Sequence, residues 1–360
     1  FRDDLHTPWG VAIDFRQPQV RRYFTENALY WLQEYRFDGL RLDAVHAISD
    51  PGWLDEMAAE VRSAVEPGRH VHLVLEHDGN EASHLRRDFT AQWNDDAHHA
   101  LHVLLTGERD GYYRDYIDAT RHLARCLEEG FAYQGDPSVH RDGQPRGTPS
   151  ADLPPTKFVM FLQNHDQVGN RPFGDRLPSL VDREALKAAV ALQLLAPSIP
   201  LIFMGEETFD EQPFLFFTDF HGELATAVRE GRRREFSHFT GFASEKIKDP
   251  NARESFDCSR VTSAGDAGFY RTLLALRQSA VVPRLDGARA IASRIIAPGA
   301  VAARWQLGDG STLTIAANLA TEACAFSGPE AAPIYESRTG ALSHGTLQDR
   351  STVAFLTAPP

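Results

Sequence analysis

From Pro18 onward, apolar residues recur at intervals of three and four: Val20, Phe24, Ala28, Leu29, Trp31, Leu32 and Tyr35. That spacing predicts a helix with one buried stripe. The period then changes to that of a strand in Gly39-Leu40-Arg41-Leu42-Asp43-Ala44-Val45, where Leu40 and Leu42 share one face and Arg41 and Asp43 the other. A second helix is expected from about Pro51 to Val65 and a second strand over His70–Glu76. Ala91–Trp93, Lys157–Leu162 and Ile199–Met204 read as further strands, and Tyr112–Leu127, Arg183–Leu195 and Gly268–Arg277 as helices. Residues 1–17 look like loop, residues 205–260 irregular and polar, and Gly130–Pro155 a Gly/Pro-rich loop long enough to border a functional site. Alternation of strand and helix predicts a parallel sheet with crossover helices. Five such strands do not close an eight-stranded barrel, so the sheet is open or its first strands lie outside this chain. Beyond Pro283 the texture becomes β-rich (Ala300–Leu307, Thr312–Ala317, Thr352–Leu356), which predicts a small antiparallel β domain. The expected division is a catalytic unit over 1–282 and a β domain over 283–360.

The chain has 360 residues and a formal net charge of -13. An acidic surface argues against nucleic acid, whose phosphates need Lys and Arg, and suits a neutral partner such as a sugar. The four arginines of Arg229–Arg234 read as a solvated helix face. No apolar run approaches a membrane span. Cys126, Cys258 and Cys324 are far apart and form no CxxC pair, so neither a disulfide framework nor a thiolate zinc site is expected, and a reducing cytoplasmic setting fits. The chain opens at Phe1 rather than Met and reads as though it begins mid-protein.

Three predicted strands lead into acids: Asp43, Glu76 and, just after Leu162, Asp166. One acid at a strand end is commonly a turn or cap residue. Three in the same context point to chemistry, because a carboxylate at the end of a buried strand is costly without a role, and active sites of barrel enzymes form at that end. Three clustered acids suit glycosidic cleavage, in which one carboxylate attacks the anomeric carbon and a second protonates the leaving oxygen. Arg41 would keep the attacking group ionised. The run Asp95-Asp96-Ala97-His98-His99-Ala100-Leu101-His102 puts His98 and His102 on one helix face, but no Glu follows the first His as in a zinc protease. A helix capped by Asp95 or Asp96 beside the sugar site is expected instead, with no metal and no cofactor. Trp9, Trp93 and Tyr133 are candidate sugar-stacking rings, and His46 lies near enough to Asp43 in sequence to reach the substrate.

Phe37–His46, Leu73–Asp78 and Phe161–Asp166 resemble, in order and strand context, three signature blocks of the alpha-amylase superfamily. The resemblance implies a (β/α)8 TIM barrel, with Asp43 as nucleophile, Glu76 as general acid/base and Asp166 as transition-state stabiliser. It implies sugar or carboxylate contacts for Arg41 and His165. Within the superfamily, His6–Gly10, Leu42–Ile48, Gln92–His102, Gln163–Asn170 and Phe203–Glu207 resemble the maltooligosyltrehalose trehalohydrolase family. Its members cleave the alpha-1,4 bond next to a terminal trehalose, releasing trehalose from an alpha-glucan. Asp95 and Asn164 fall within these stretches and join Arg41, His46, Trp93 and His165 as expected substrate contacts. The superfamily's early Asp-x-x-x-Asn-His block and first barrel strands are absent, so a missing amino-terminal part is an expected partner. His77 stands where the family usually has Asn. The alternatives are another amylase-type hydrolase or branching enzyme, and a non-catalytic glucan-binding fragment.

Overall fold

The computed structural model describes residues 1–7, 10–236, 247–262 and 265–359. Trp9 therefore lies outside the described residues. The amino-terminal segment, expected as loop, forms an antiparallel hairpin of β1 (Arg2–Thr7) and β2 (Gly10–Ala12). Its largely exposed, polar strands lack the alternation that marks a half-buried strand in sequence.

Helix α1 (Pro18–Gln33) begins with proline in its first turn, where the missing N–H costs nothing. It packs on α2 (Gly52–Ala64), whose Trp53, Leu54, Met57, Ala58 and Val61 are buried. Between them runs β3 (Gly39–Leu42), paired in parallel with β4 (His72–Leu75), with Leu42 opposite Leu75. Gly39 is required there, because a Cβ would lie 2.6 Å from the His72 carbonyl oxygen. The sheet continues through β5 (Ala91–Trp93), and α3 (Asp95–Thr106) follows. The expected Tyr112–Leu127 helix is instead a 3-10 stretch over Gly111–Tyr116 and α4 (Ala119–Glu129). The long loop after α4 holds a minimal hairpin, β6 (Asp136–Pro137) with β7 (Pro145–Arg146). Then come β8 (Phe158–Met160), α5 (His165–Gly169), α6 (Leu177–Leu180), α7 (Arg183–Leu195) and β9 (Ile199–Pro200).

The five predicted parallel strands thus form one sheet in the order β3-β4-β5-β8-β9. No strand among the described residues joins β3 to β9, so the described sheet is open. Beside the free edge of β3 lies a groove of about 760 Å³ lined by Phe15, Phe24, Trp31, Leu40 and Trp53 among others, and reaching Asp43.

Residues 205–260 are more regular than expected, with α8 (Gly222–Phe236) and α9 (Arg253–Asp257). The arginine-rich face of α8 is only partly solvated. Arg232 lies with 12% of its side chain exposed, over the Phe216 ring, and donates to the Gly169 carbonyl at 2.9 Å.

After α10 (Gly268–Leu276) come β10 (Arg289–Ala297), β11 (Ala300–Gln306), β12 (Thr312–Asn318), β13 (Cys324–Ala325), β14 (Tyr335–Glu336), β15 (Leu342–Ser343), β16 (Thr346–Leu347) and β17 (Ser351–Thr357). An antiparallel sheet in the order β10-β11-β12-β17-β14 faces a three-stranded sheet, β13-β16-β15. Ala302, Ala316, Val353 and Phe355 of the larger sheet meet Phe326 and Leu347 on the smaller side, forming a thin sandwich. The other face of the larger sheet, with Val301, Ala303, Trp305, Leu313 and Ile315, shares one core with α3, α4 and α7. Trp305 Nε1 donates to Leu127 O at 3.1 Å and Thr352 Oγ1 to Ala188 O at 2.8 Å across that junction.

Candidate active site

The carboxyl ends of β3, β4 and β8 open on one side of the parallel sheet. Past its last paired residues the β3–β4 ladder continues: Glu76 N donates to Leu42 O at 3.0 Å and Val45 N to Glu76 O at 3.1 Å. Between those bonds the chain turns sharply through Ala44, in the left-handed region at φ 46°, a conformation that costs a non-glycine residue roughly 1 kcal/mol. The turn aims the Ala44 N–H at Glu76 Oε2, 2.6 Å away. Asp43 is left with 78% of its side chain exposed, against 22% for Glu76.

Asp166 sits in the first turn of α5. Asn164 caps that turn, its Oδ1 accepting the Asp166 and Gln167 N–H groups at 2.9 and 3.1 Å. Asn164 is itself buried. His165 Nε2 lies 3.4 Å from Asp166 Oδ2.

Arg41 joins the three acids. One terminal nitrogen binds Asp43; the other lies 3.2 Å from Glu76 Oε2 and 3.7 Å from Asp166 Oδ2. The guanidinium rests 4.3 Å from the Trp93 ring centroid. One face of Trp93 is therefore occupied by a cation, with His165 edge-on at 6.1 Å. Arg41, Asp43, Glu76, Trp93, His165 and Asp166 form one cluster. His46, exposed in the turn Val45–Ala47, lies at its margin, its ring 6.2 Å from that of His77. Burial first, then His46 and His84, push His77 down to about 4, so its ring is neutral at pH 7. Its Nδ1 accepts the Gly79 N–H at 3.0 Å.

Neither Asp95 nor Asp96 caps α3. Asn94 does, accepting the Ala97 N–H at 3.2 Å and donating to Gly130 O at 2.7 Å. Asp95 is half-buried, with Gln167 Nε2 at 3.4 Å from its Oδ1. Burial, together with Glu76, Asp78 and Asp96, pushes it up to about 7 against the opposing Arg146. Asp96 is fully buried and accepts the Ala132 and Tyr133 N–H groups at 2.8 and 2.9 Å, with Arg146 at 2.9 Å. Arg146 also donates to Asp78 O at 2.9 Å, and Arg141 pairs with Asp78 Oδ2 at 2.5 Å. The long loop after α4 is thereby tied to the segment following Glu76. Sequence reasoning missed Asn94 and Arg146. The first stands beside two acids that cap about equally well, and no local signal marks an arginine whose carboxylate partner comes from another element.

Tyr133 does not offer an open ring: it is buried, stacks on His122 at 5.5 Å and donates to Asp115 O at 2.7 Å. His98, His99 and His102 are buried, which pushes each imidazole below its usual range. His98 Nδ1 lies 2.8 Å from Leu162 O and His102 Nε2 2.8 Å from Glu108. Among the described residues, no group of three or more His, Cys, Asp or Glu is arranged to hold a metal ion, and no helix is long and apolar enough to cross a membrane.

Residues 288–354 match the model of a domain of unknown function, DUF3459. Malto-oligosyltrehalose trehalohydrolase of Deinococcus radiodurans is 39% identical, over 77% of this chain and 48% of that protein. Its namesake in Mycobacterium tuberculosis is 34% identical, over 96% of this chain and 61% of that one. The chain thus spans about half to three-fifths of the length of these curated relatives. A solved structure described as a putative alpha amylase from Salmonella typhimurium superposes with a TM-score of 0.91 and 41% identity, over 99% of this chain and 64% of that one. With an alpha-amylase-type parallel sheet and this level of identity along most of its length, the chain is similar to about half to three-fifths of each of these malto-oligosyltrehalose trehalohydrolases.

Proposed function

We propose that this chain carries the active site of a retaining glycoside hydrolase that releases trehalose from maltooligosyltrehalose. The observation that supports it most is the contact of one guanidinium, Arg41, with carboxylates that follow three separate strands. A shared guanidinium draws the acids toward one another, and a retaining pair works at a separation of ~5–5.5 Å. In this reading Asp43 attacks the anomeric carbon of the alpha-1,4 bond while Glu76 gives its proton to the glycosidic oxygen, so trehalose leaves and a glucosyl ester forms on Asp43. Glu76 then takes a proton from water, whose oxygen displaces Asp43 and frees the shortened glucan. Asp166 accepts sugar hydroxyls whose hydrogen bonds strengthen in the transition state. His165, His46 and one face of Trp93 meet the sugar, and Asn164 holds Asp166 in place. Asp95, uncharged for part of the time near neutrality, is able to donate as well as accept a hydrogen bond to a sugar.

Residues 1–282 are the catalytic unit and 283–360 a supporting β domain in this proposal. The free edge of β3 and its apolar groove would accept further strands of a closed eight-stranded barrel, supplied by an amino-terminal part of the same protein. The three cysteines, free of disulfides among the described residues, suit a cytoplasmic location. Incubation with maltooligosyltrehalose and assay of free trehalose tests the activity. Release of maltose, or formation of alpha-1,6 branches without trehalose, would overturn the proposed specificity.

A further inference from the structure

Next to the turn that carries His165 and Asp166 lies a second layer of buried polar side chains. Gln163 is 3% exposed, and Glu206, in the 3-10 turn Glu206–Thr208 that follows β9, is 4% exposed. Gln163 Oε1 accepts the Leu177 N–H at 2.7 Å, and its Nε2 donates to Glu206 Oε1 at 2.9 Å. Glu206 Oε2 accepts the Phe203 N–H at 3.2 Å, and the Glu206 N–H donates to Phe203 O at 3.0 Å. The carboxyl therefore closes a bridge from the turn after β9, through the Gln163 amide, to the start of α6. Gln163 directly precedes Asn164, the cap of the turn that carries Asp166. A buried amide engaged at both ends has one orientation, since rotating it would leave buried polar groups unpaired.

We propose that Glu206 is a positioning residue that, through Gln163, fixes the turn presenting His165 and Asp166 to the substrate. The proposal deepens, and rests on, the reading of Asp166 as transition-state stabiliser. Burial pushes Glu206 up to about 8, opposed by its Gln163 and Phe203 donors and by Arg176, and reinforced by Glu207. The charged or titratable groups facing it are Arg176 at the start of α6, Glu207 in its own turn and Tyr270 on α10, whose hydroxyl burial keeps protonated. At neutral pH the bridge thus contains an uncharged carboxyl, and alkaline pH puts a poorly compensated charge into it. Glutamine at this position keeps the shape and an acceptor for Gln163, gives up the acceptor for the Phe203 N–H and removes the titration, whereas leucine removes both acceptors.

The experiment compares wild type, Glu206→Gln and Glu206→Leu as full chains, by trehalose release on either side of pH 8 and by hydrogen exchange of the Asp166 and Gln167 amides. Glu206→Leu is expected to lower kcat about tenfold or more with KM within roughly threefold, and to speed exchange at both amides. Glu206→Gln is expected to keep most of kcat and native exchange at pH 7, and to lose the alkaline fall in kcat that wild type shows near pH 8. Wild-type kcat and exchange in Glu206→Leu would overturn the proposal, as would an unchanged alkaline limb in Glu206→Gln. If Glu206→Leu does not fold, the alkaline limb of Glu206→Gln decides. If wild type releases no trehalose, the activity reading fails, and exchange at the two amides in Glu206→Leu still decides the positioning role.

Discussion

Arg41 engages three carboxylates because its guanidinium is planar and carries five N–H donors, and no lysine reproduces that fork. A charge-assisted hydrogen bond is worth about 1.5–3 kcal/mol, so Arg41→Lys is expected to cut kcat roughly 10- to 100-fold with little change in the melting temperature. Wild-type kcat in steady-state assays would show that the convergence is incidental. Glu76→Gln should lose ~10²–10⁴-fold in kcat, as removal of a general acid does, and Asp43→Asn should abolish turnover with the fold intact, as read by circular dichroism. Asp95 bears on stability. Its folded value of about 7 lies above the ordinary 3.8, so across that window the native state holds a proton the unfolded chain has shed. The carboxyl therefore lowers stability progressively as pH rises through the window, and the effect levels off above it. Asp95→Asn should gain melting temperature over wild type as pH rises through the same range. A gap independent of pH would contradict the shift.

Local pattern read the helices and strands that line the site well. The Arg183–Leu195 helix runs end to end as expected, and all five parallel strands occur where the apolar runs placed them. Elements with no apolar stripe were read poorly: the hairpin β1–β2 was expected as loop, and of helix α8 only the arginine run 229–234 was expected as a helix face. The latter carries Arg–Glu pairs at three- and four-residue spacing, and so charged a segment leaves no apolar stripe to read. The cap of α3 was misassigned for another reason. Asn, Asp and Ser cap almost equally well, so the adjacent residues 94, 95 and 96 compete, and the choice fell to Asn94 because it also reaches Gly130 O in the loop after α4. Asn94→Ala removes both bonds and should cost ~1–2 kcal/mol or more in denaturant melts. Asp95→Ala should not reproduce that loss at pH 5, where Asp95 is uncharged.

At the scale of the molecule, the larger carboxyl-terminal sheet and the helices of the catalytic unit share one apolar core. Residues on either side of position 283 therefore pack into one core. Calorimetry should find a single cooperative transition for the two parts, and Trp305→Ala, which empties a fully buried site and removes the bond to Leu127 O, should lower stability of the whole by ~3–5 kcal/mol. Two separable transitions would contradict the shared core. The same texture foresaw a β domain but not its docking face, because alternation says that one side of a strand is buried without saying against what.

By itself the sequence determined that three acids follow three apolar strands, and that Arg41 and Asp43 share a face, because strand period and strand termini are properties of neighbouring residues. Only the tertiary structure decided that Arg41 gathers acids from three strands, that Asp96 is spent on Arg146 from a distant loop, and that Tyr133 is core rather than platform. Those outcomes depend on which remote groups satisfy one another once water is excluded, and spacing along the chain does not encode that choice.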